Sequence, residues 1–525
     1  GHSSGKAETK GEAAVWLKVA AAVVGLAVLG MAGTFFFGSS TTTAPLPVAV
    51  GQAQTNTVAQ ATLDTNRVVV LPFKVIGGAQ DSADLGYGLV STLTSKLQPL
   101  QNLVVIANES ARKFKDSDQS PNEIGQALQV GTIVTGEIQT SGDKVQVNIR
   151  MIDANTEALG WGSTFTKTKE NFLDLQNEIA TKLASELKGG LAAGEAQQLA
   201  QKATEYPEAQ REYQAGRREW NKRTKAGFEN AVKHFEKAIE LDPDYADPYA
   251  GLADTYGLLP IYNFAKPSEV TVKVKFYSRL AIEKNPNLVE AYTSLAWALH
   301  NYEYDWKRAE ENYRKAIELN PNYATGHQWF AIFLSHRGAH KESIAMAVKA
   351  TQLDPQSMII KHSTAQMHLI AEKNDQALKY LDESLAIDPY FAYSLWYKHA
   401  KINEQNSNES IDHLREAIRK YPNQPMHRKT LAEVFWKMGD KEAAMEQVME
   451  LLDRYHDSFN KSHFADLYFV MGKPDHAYRW LKKAFEAKEG NVLFYGNLPT
   501  LKKFQKEPRF RELFKQINHP LYLDK

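Results

Sequence analysis

Ala316-Ile317-Glu318-Leu319-Asn320-Pro321-Asn322-Tyr323-Ala324-Thr325 is the stretch whose reading decides the fold. Its first half ends a helix, because Pro321 has no amide hydrogen to donate and its ring clashes with a continuing turn. The same punctuation returns along the chain, with prolines at 243, 286, 321, 355, 389 and 422, of which the last four lie 34, 34 and 33 residues apart. Five residues before these prolines stand Ala238, Ala281, Ala316, Ala350, Ser384 and Ala417; eight before stand Phe235, Ser278, Tyr313, Ala347, Leu381 and Leu414, most of them large. A small group lets two helices cross closely, and a large one fills the space beside the crossing. A period of this length is one helix–turn–helix unit, so the region reads as stacked helix hairpins.

Gly439 with Ala444, and Gly472 with Ala477 and Ala484, continue the pattern without the proline, and about seven repeats are expected over residues 206–488. The step from Pro243 to Pro286 is nine residues too long, which places an insertion at Pro260 to Glu269, expected as a loop on a binding edge. Residues 489–525, with Pro499, Phe504, Pro508, Phe510, Leu513 and Phe514, are expected to form a helix that caps the last apolar face. Leu252-Ala253-Asp254-Thr255-Tyr256, Asn301-Tyr302-Glu303-Tyr304-Asp305-Trp306, Leu319 to Thr325 and Pro508-Arg509-Phe510 resemble the tetratricopeptide arrays found behind TolB-like domains. That resemblance implies an all-α superhelix and a membrane-anchored signalling parent. Its cytoplasmic half would be a CadC-like winged-helix regulator, a serine/threonine kinase or a nucleotide cyclase.

Ahead of the array, residues 65–189 read as an α+β domain with a mixed sheet, joined to it by a connecting helix at 190–205. Arg67 to Val75 opens with a continuous apolar run, as a strand buried on both faces does. Leu85, Leu89, Val90, Leu93 and Leu97 mark a helix with one apolar side. A short strand at Leu103 to Ala107 and a helix at Pro121 to Leu128 follow. Thr132 to Gln139 and Val145, Val147, Ile149 and Met151 form a strand pair around Ser141-Gly142-Asp143, then come a strand at Leu159 to Thr166 and a closing helix through Phe172, Leu175, Ile179 and Leu183. Val70-Leu71-Pro72-Phe73, Ile124 to Leu128, Val134 to Ile138, Met151-Ile152-Asp153-Ala154 and Leu175 to Ala180 together resemble the bacterial TolB amino-terminal-like domain, which implies no catalytic residues. Gly86-x-Gly88 before a helix lacks the third glycine and the strand of a phosphate-binding turn, and reads as a bend into the helix.

Val19 to Phe37 carries no charge, and at helical rise nineteen residues reach about 28 Å, so residues 13–38 are expected to span a membrane. Lys6, Lys10 and Lys18 precede the span, and Gly38 to Gln60 has no Lys or Arg, which puts the stub 1–12 in the cytoplasm and all that follows in the periplasm. Residues 39–64 read as a flexible linker. Ala21 and Gly25 form a small-xxx-small pair that suits a homodimer of spans. Residue 1 is glycine, and a cut from a longer parent polypeptide is expected. Lys plus Arg and Asp plus Glu number 62 each, which gives no broad positive field for nucleic acid. Cysteine is absent, which excludes disulfides and thiolate chemistry.

No nucleophile elbow, zinc helix or phosphate loop is present, so binding is expected rather than catalysis, with no cofactor and no metal. His336 and His340 are split by Gly338, and Arg217, Arg218, Lys222, Arg223 and Lys225 read as a solvated helix face. In the repeat register the inner wall holds Glu290, Thr293, Trp297, His300, Gln328, Ile332, His362, Gln366, Tyr393 and Trp396. Trp297, His300, Gln328, His362, Gln366 and Trp396 are the expected contacts for a protein or peptide in the concave groove. The expected function is a periplasmic sensor or scaffold; the alternatives are the regulatory half of a receptor kinase or cyclase, and a non-signalling envelope assembly factor.

Overall fold

The continuous apolar run at the start of the α+β domain is one line of chain broken by its proline. In the computed structural model, which describes residues 62–76, 80–402 and 408–523, β1 (Arg67–Val70) and β2 (Lys74–Ile76) both pair in parallel with β4 (Thr132–Ser141), and Leu71-Pro72-Phe73 lies between them. Pro72 cannot donate to the ladder, so the strand expected over 67–75 appears as two pieces. β3 (Val104–Val105) flanks β1, and β5 (Lys144–Asp153) and β6 (Leu159–Thr168) follow β4 antiparallel, giving the order β3-β1-β4-β5-β6. The mixed sheet is therefore as expected.

α1 (Gln80–Leu97) and α4 (Phe172–Lys188) cover one face of the sheet over Val68, Val70, Val147 and Ile149. α2 (Asn108–Arg112) and α3 (Pro121–Leu128) cover the other face over Val69, Leu71 and Ile133. α3 starts where the sequence places it, since Ser120 and Glu123 form a reciprocal cap. Of the expected connecting helix only α5 (Ala193–Ala200) is helical.

Among the described residues eight helix pairs follow, where about seven are expected. They are α6 (Pro207–Asn221) with α7 (Lys225–Leu241), α8 (Ala246–Leu258) with α9 (Pro267–Lys284), α10 (Val289–Ala298) with α11 (Trp306–Leu319), and α12 (Ala324–His336) with α13 (His340–Leu353). Next come α14 (Met358–Ile370) with α15 (Asn374–Ile387), α16 (Ala392–Leu395) with α17 (Asn408–Lys420), α18 (Pro425–Met438) with α19 (Lys441–Tyr455), and α20 (Lys461–Val470) with α21 (Pro474–Glu486). α6 is so polar that apolar periodicity hardly marks it; it buries only Ala209, Gln214, Gly216 and Trp220. The crossing residues Ala238, Ala281, Ala316, Ala350, Ser384 and Ala417 are all 0 % exposed, as the spacing requires. α10 and α16 run on into π turns at Leu299–Glu303 and Trp396–Ile402, which shift the side-chain register behind them.

The chain end is not a single capping helix. α22 (Val492–Tyr495), a 3-10 turn, α23 (Lys502–Gln505) and α24 (Pro508–Gln516) fold back against the middle of the array. Phe494 packs on His336 at 4.2 Å, and Trp306 meets His519 at 5.2 Å and donates its indole N–H to the Ile517 carbonyl at 3.4 Å. The insertion also turns inward, not outward: Tyr262 and Phe264 pack on Phe228, Tyr393 donates to the Ile261 carbonyl at 3.2 Å, and Asn460 reaches Asn263 and Pro260. The stub, the membrane span and all of the linker but residues 62–64 lie outside the described residues. Among the described residues no helix is long and apolar enough to cross a membrane.

Candidate functional site

A repeating turn explains how the α+β domain sits on the array. Where a second helix ends, the residue before the proline bridges it: Asp242 accepts from the Asp244 amide at 3.0 Å, Asn285 from Asn287 at 3.0 Å, Asn320 from Asn322 at 2.9 Å and Asp388 from Tyr390 at 3.0 Å. At Asp354 the bridge is supplied by another part of the chain. Ser110 of α2 donates its hydroxyl to the Asp354 carboxylate and accepts from the Gln356 amide at 2.9 Å, taking the place of the local bond. Beside it the Ala107 amide donates to the Leu353 carbonyl at 2.8 Å, and Asn322 donates to the carbonyls of Gln98 and Leu103 at 2.7 and 2.8 Å. α6 joins from the other side, where Gln214 donates to the Gly88 carbonyl at 3.3 Å and Asn221 to Glu109 at 2.8 Å. A Cβ on Gly88 would lie 2.5 Å from Gln214, so this glycine, mid-helix in α1, serves close approach and not a phosphate turn.

Between the domain and the array lies a cavity of about 1260 Å3. Its floor is the amino ends of the first helices of the pairs, with Asp247, Glu290, Tyr323, Thr325 and Gln328; its roof comes from α1, α2, α4 and α5. Arg217 pairs with Asp254 at 2.7 Å and lies 4.3 Å over the Trp220 ring, on which Arg223 also stacks at 3.5 Å. Burial pushes the Glu290 carboxyl up to about 7, aided by Asp247, and the Asp247 carboxyl up to about 6 against a hydrogen bond from the Tyr245 hydroxyl. Burial lowers the Lys96 ammonium to about 8, although Asp247 faces it. Two buried nitrogens with no protein partner line the same space, those of the Gln176 amide and the Trp220 indole.

The six expected groove contacts are mostly committed elsewhere, because the array winds its later pairs and the chain end against the inner wall. Trp297 is 5 % exposed, donates to the Gly257 carbonyl at 3.1 Å and packs 4.6 Å from Trp329. His300 is 0 % exposed, hydrogen-bonded to His336 at 2.8 Å, and burial drives its imidazole down to about 3. His362 contacts Ser394 at 3.2 Å and is likewise pushed down to about 3 by burial. Gln366 donates to the Tyr397 hydroxyl at 2.5 Å. Trp396 donates to Glu433 at 3.3 Å and roofs a buried cluster of Lys401, Lys429, Glu433 and Asp466. Gln328 donates to Ser363 at 2.8 Å and is the one of the six on the cavity wall. Of the other inner-wall positions, Thr293 bonds its own helix, Ile332 is buried, Tyr393 holds the insertion, and Glu290 faces the cavity. The expectation of a solvated basic face fails for Arg217 and Arg223, which line the cavity on either side of Trp220 in sequence. Their proximity to a tryptophan was the available signal. Among the described residues no group of three metal-ligating side chains assembles.

Residues 64–182 match the family described as HilA/YgeH-like transcriptional regulator, second domain, and residues 228–259 match the TPR repeat. The chain is 23 % identical over 234 residues to "Putative adenylate cyclase 3" of Rhizobium meliloti (strain 1021), covering 44 % of this chain and 40 % of that protein. It is 22 % identical over 207 residues to "Protein O-mannosyl-transferase TMTC3" of Homo sapiens, covering 38 % and 22 %. The chain thus spans less than half the length of these curated relatives. Among solved structures, YrrB, described as a TPR protein with an unusual peptide-binding site, aligns with 33 % of this chain and 83 % of its own at 23 % identity and a TM-score of 0.24. An IFIT1 monomeric mutant with Gppp-AAAA aligns over 67 % and 85 % at 17 % identity and a TM-score of 0.34. The tetratricopeptide repeats mark the chain as a protein-interaction scaffold.

Proposed function

We propose that this chain is the periplasmic binding and sensing portion of a membrane-anchored signalling protein, and that it acts by holding a polypeptide between its α+β domain and its repeat array. The observation that carries the reading is the open-mouthed cavity: the amino ends of successive first helices form its floor, and the domain nearest the expected membrane span forms its roof. An occupant would touch both bodies, so its binding energy biases how firmly they dock. The uncharged run Val19 to Phe37 and the lysines before it support an inner-membrane anchor with the amino end inside. The likeness of residues 64–182 to a domain of transcriptional regulators, and the TolB-like and CadC-like resemblance, support an output domain elsewhere in the parent protein.

A second reading, favoured by the partial likeness to a cyclase, makes the chain the regulatory half of a receptor enzyme. The binding role is the same in both readings.

Two measurements test the proposal. A photo-cross-linking residue at Asn287, on the exposed rim of the cavity, should trap a polypeptide in cells, whereas one at Glu342 on the outer side of α13 should not. Cross-links at Glu342 alone would remove the cavity from the account. Because the chain has no cysteine, Asn287→Cys gives a unique thiol, which a membrane-impermeant maleimide should label in spheroplasts without lysis. Labelling that requires lysis would refute the periplasmic placement.

A further inference from the structure

Asp247 and Glu290 stand in the first turns of α8 and α10, the opening helices of two neighbouring pairs, and both line the cavity. Among the described residues neither has an ion-pair partner, and the cations that face them are already engaged. Arg217 is bound to Asp254 at 2.7 Å, and Lys96 donates to the carbonyls of Leu199 and Gln201 at 2.7 Å each. Arg223 is stacked on Trp220, and Lys284 is paired with Asp244 at 2.9 Å. Tyr213, Tyr245 and Tyr323 line the same region, with the first two rings 5.5 Å apart edge-on. The Tyr323 hydroxyl is buried there beside Thr325, in a residue 8 % exposed, and electrostatically it faces Glu290 and Asp254.

We propose that this end of the cavity receives the basic side chain, lysine or arginine, of the bound polypeptide, with Asp247 and Glu290 as its counter-charges and the tyrosines as its wall. The assignment rests on the binding role proposed above and names the chemistry of its ligand. Ammonium and guanidinium groups carry only donors, and two carboxylates without an ion-pair partner, one of them also accepting from the Tyr245 hydroxyl, are acceptors for them. Aromatic faces attract the same charge. The peptide backbone supplies carbonyl oxygens for the unpaired donors on Gln176 and Trp220. An acidic side chain at this end meets two charges of its own sign. Since the free carboxyls titrate near neutral pH, a bound cation draws protons off them, and affinity rises between pH 6 and pH 8.

The test uses the full chain in detergent micelles and calorimetry with capped seven-residue alanine peptides carrying Lys, Arg, norleucine or Glu at the centre, beside free lysine amide. The lysine and arginine probes should bind at least about tenfold more tightly than the other two, a factor that one desolvated ion pair readily supplies. Glu290→Gln should cost about tenfold, and Asp247→Asn with Glu290→Gln should erase the preference and the proton release. Both changes are isosteric and remove buried charge, so melting temperature at pH 8 should hold or rise, which separates lost binding from lost folding. Equal binding of the norleucine or glutamate probe, a preference that survives the double variant, or free lysine amide binding as tightly as the peptide overturns the proposal. If Asn287 still cross-links a partner equally well in the double variant, this ligand assignment falls while the binding role stands.

Discussion

Asp466→Asn isolates the energetics of the four charges buried beneath Trp396. Lys401 lies 2.9 Å from Asp466 and 3.1 Å from Glu433, Lys429 lies 2.7 Å from Asp466 and bonds Glu433, and all four side chains are at most 1 % exposed. At an effective dielectric of about 20, each Asp466 contact contributes roughly 6 kcal/mol of attraction, set against the desolvation of both partners. Burial alone would push the Asp466 carboxyl up and the Lys401 ammonium down. Lys401 and Lys429 outweigh it and hold Asp466 below the usual carboxylate range, while Asp466 and Glu433 hold Lys401 above the ordinary ammonium value of 10.5. The amide keeps the shape but leaves two ammoniums facing one carboxylate. One of them then stays unpaired or sheds its proton. Shedding from an ordinary value of 10.5 at pH 7 costs about 5 kcal/mol, which is the ceiling. The expected loss is therefore about 3–5 kcal/mol at pH 7. At pH 9 the ceiling falls to about 2 kcal/mol, because only the unfolded lysine still binds the proton there and stability rises with pH. Urea unfolding at both pH values measures this, with hydrogen exchange at residues 396–402 and 429–433 because an array need not unfold as one unit. A loss below about 1 kcal/mol, or one that does not shrink at pH 9, would falsify the picture; Asp466→Asn with Lys401→Met should recover part of it.

Ser110→Ala removes the hydroxyl that bridges Asp354 and Gln356, so docking of α2 should weaken by about 1–3 kcal/mol, seen as faster hydrogen exchange at residues 107–112 with unchanged helix content. Burial raises the Asp354 carboxyl from 3.8 to about 7, so the folded chain holds this proton more tightly than the unfolded one. Its stabilisation is full below about pH 4 and lost by about pH 7, roughly 4 kcal/mol in all at this one site, and an Asp354→Asn variant should lack that slope. Gly216→Ala places a Cβ 2.5 Å from the Phe235 ring and should cost about 1–3 kcal/mol in thermal unfolding; a neutral result means α6 and α7 cross less tightly than described. Trp297→Ala should destabilise by about 3–5 kcal/mol through the void beside Trp329, yet leave peptide binding in the cavity unchanged once the protein is folded; lost binding without lost stability would return this residue to the groove.

Local pattern carried the helix pairs, since period, proline and small crossing residues act within one repeat and its neighbour. It also carried the sheet, whose strands alternate or run apolar according to which faces are covered, as in Val145-x-Val147-x-Ile149. The expected array from residue 206 already takes in α6, although its polar surface hides it from apolar periodicity; it packs on α7 and also reaches the α+β domain through Gln214. Glu290 and Gln328 were legible as inner-wall positions, whereas Arg217 and Arg223 were not, since helix charge alone does not tell a solvent face from a covered one.

The sequence by itself determined that the chain is an α+β domain followed by stacked helix hairpins, because each of those units is specified by contacts a few residues to one repeat apart. Only the tertiary structure decided where an inner wall remains free. Trp306 meeting His519, Tyr393 meeting Ile261 and Ser110 entering the turn at Asp354 join residues more than a hundred positions apart. Such contacts depend on the summed twist of the pairs between them, a quantity no single repeat encodes. The chain end covers the carboxyl end of α12 at His336, while the docked α+β domain leaves the amino ends of α8 and α10, with Asp247 and Glu290, facing the cavity.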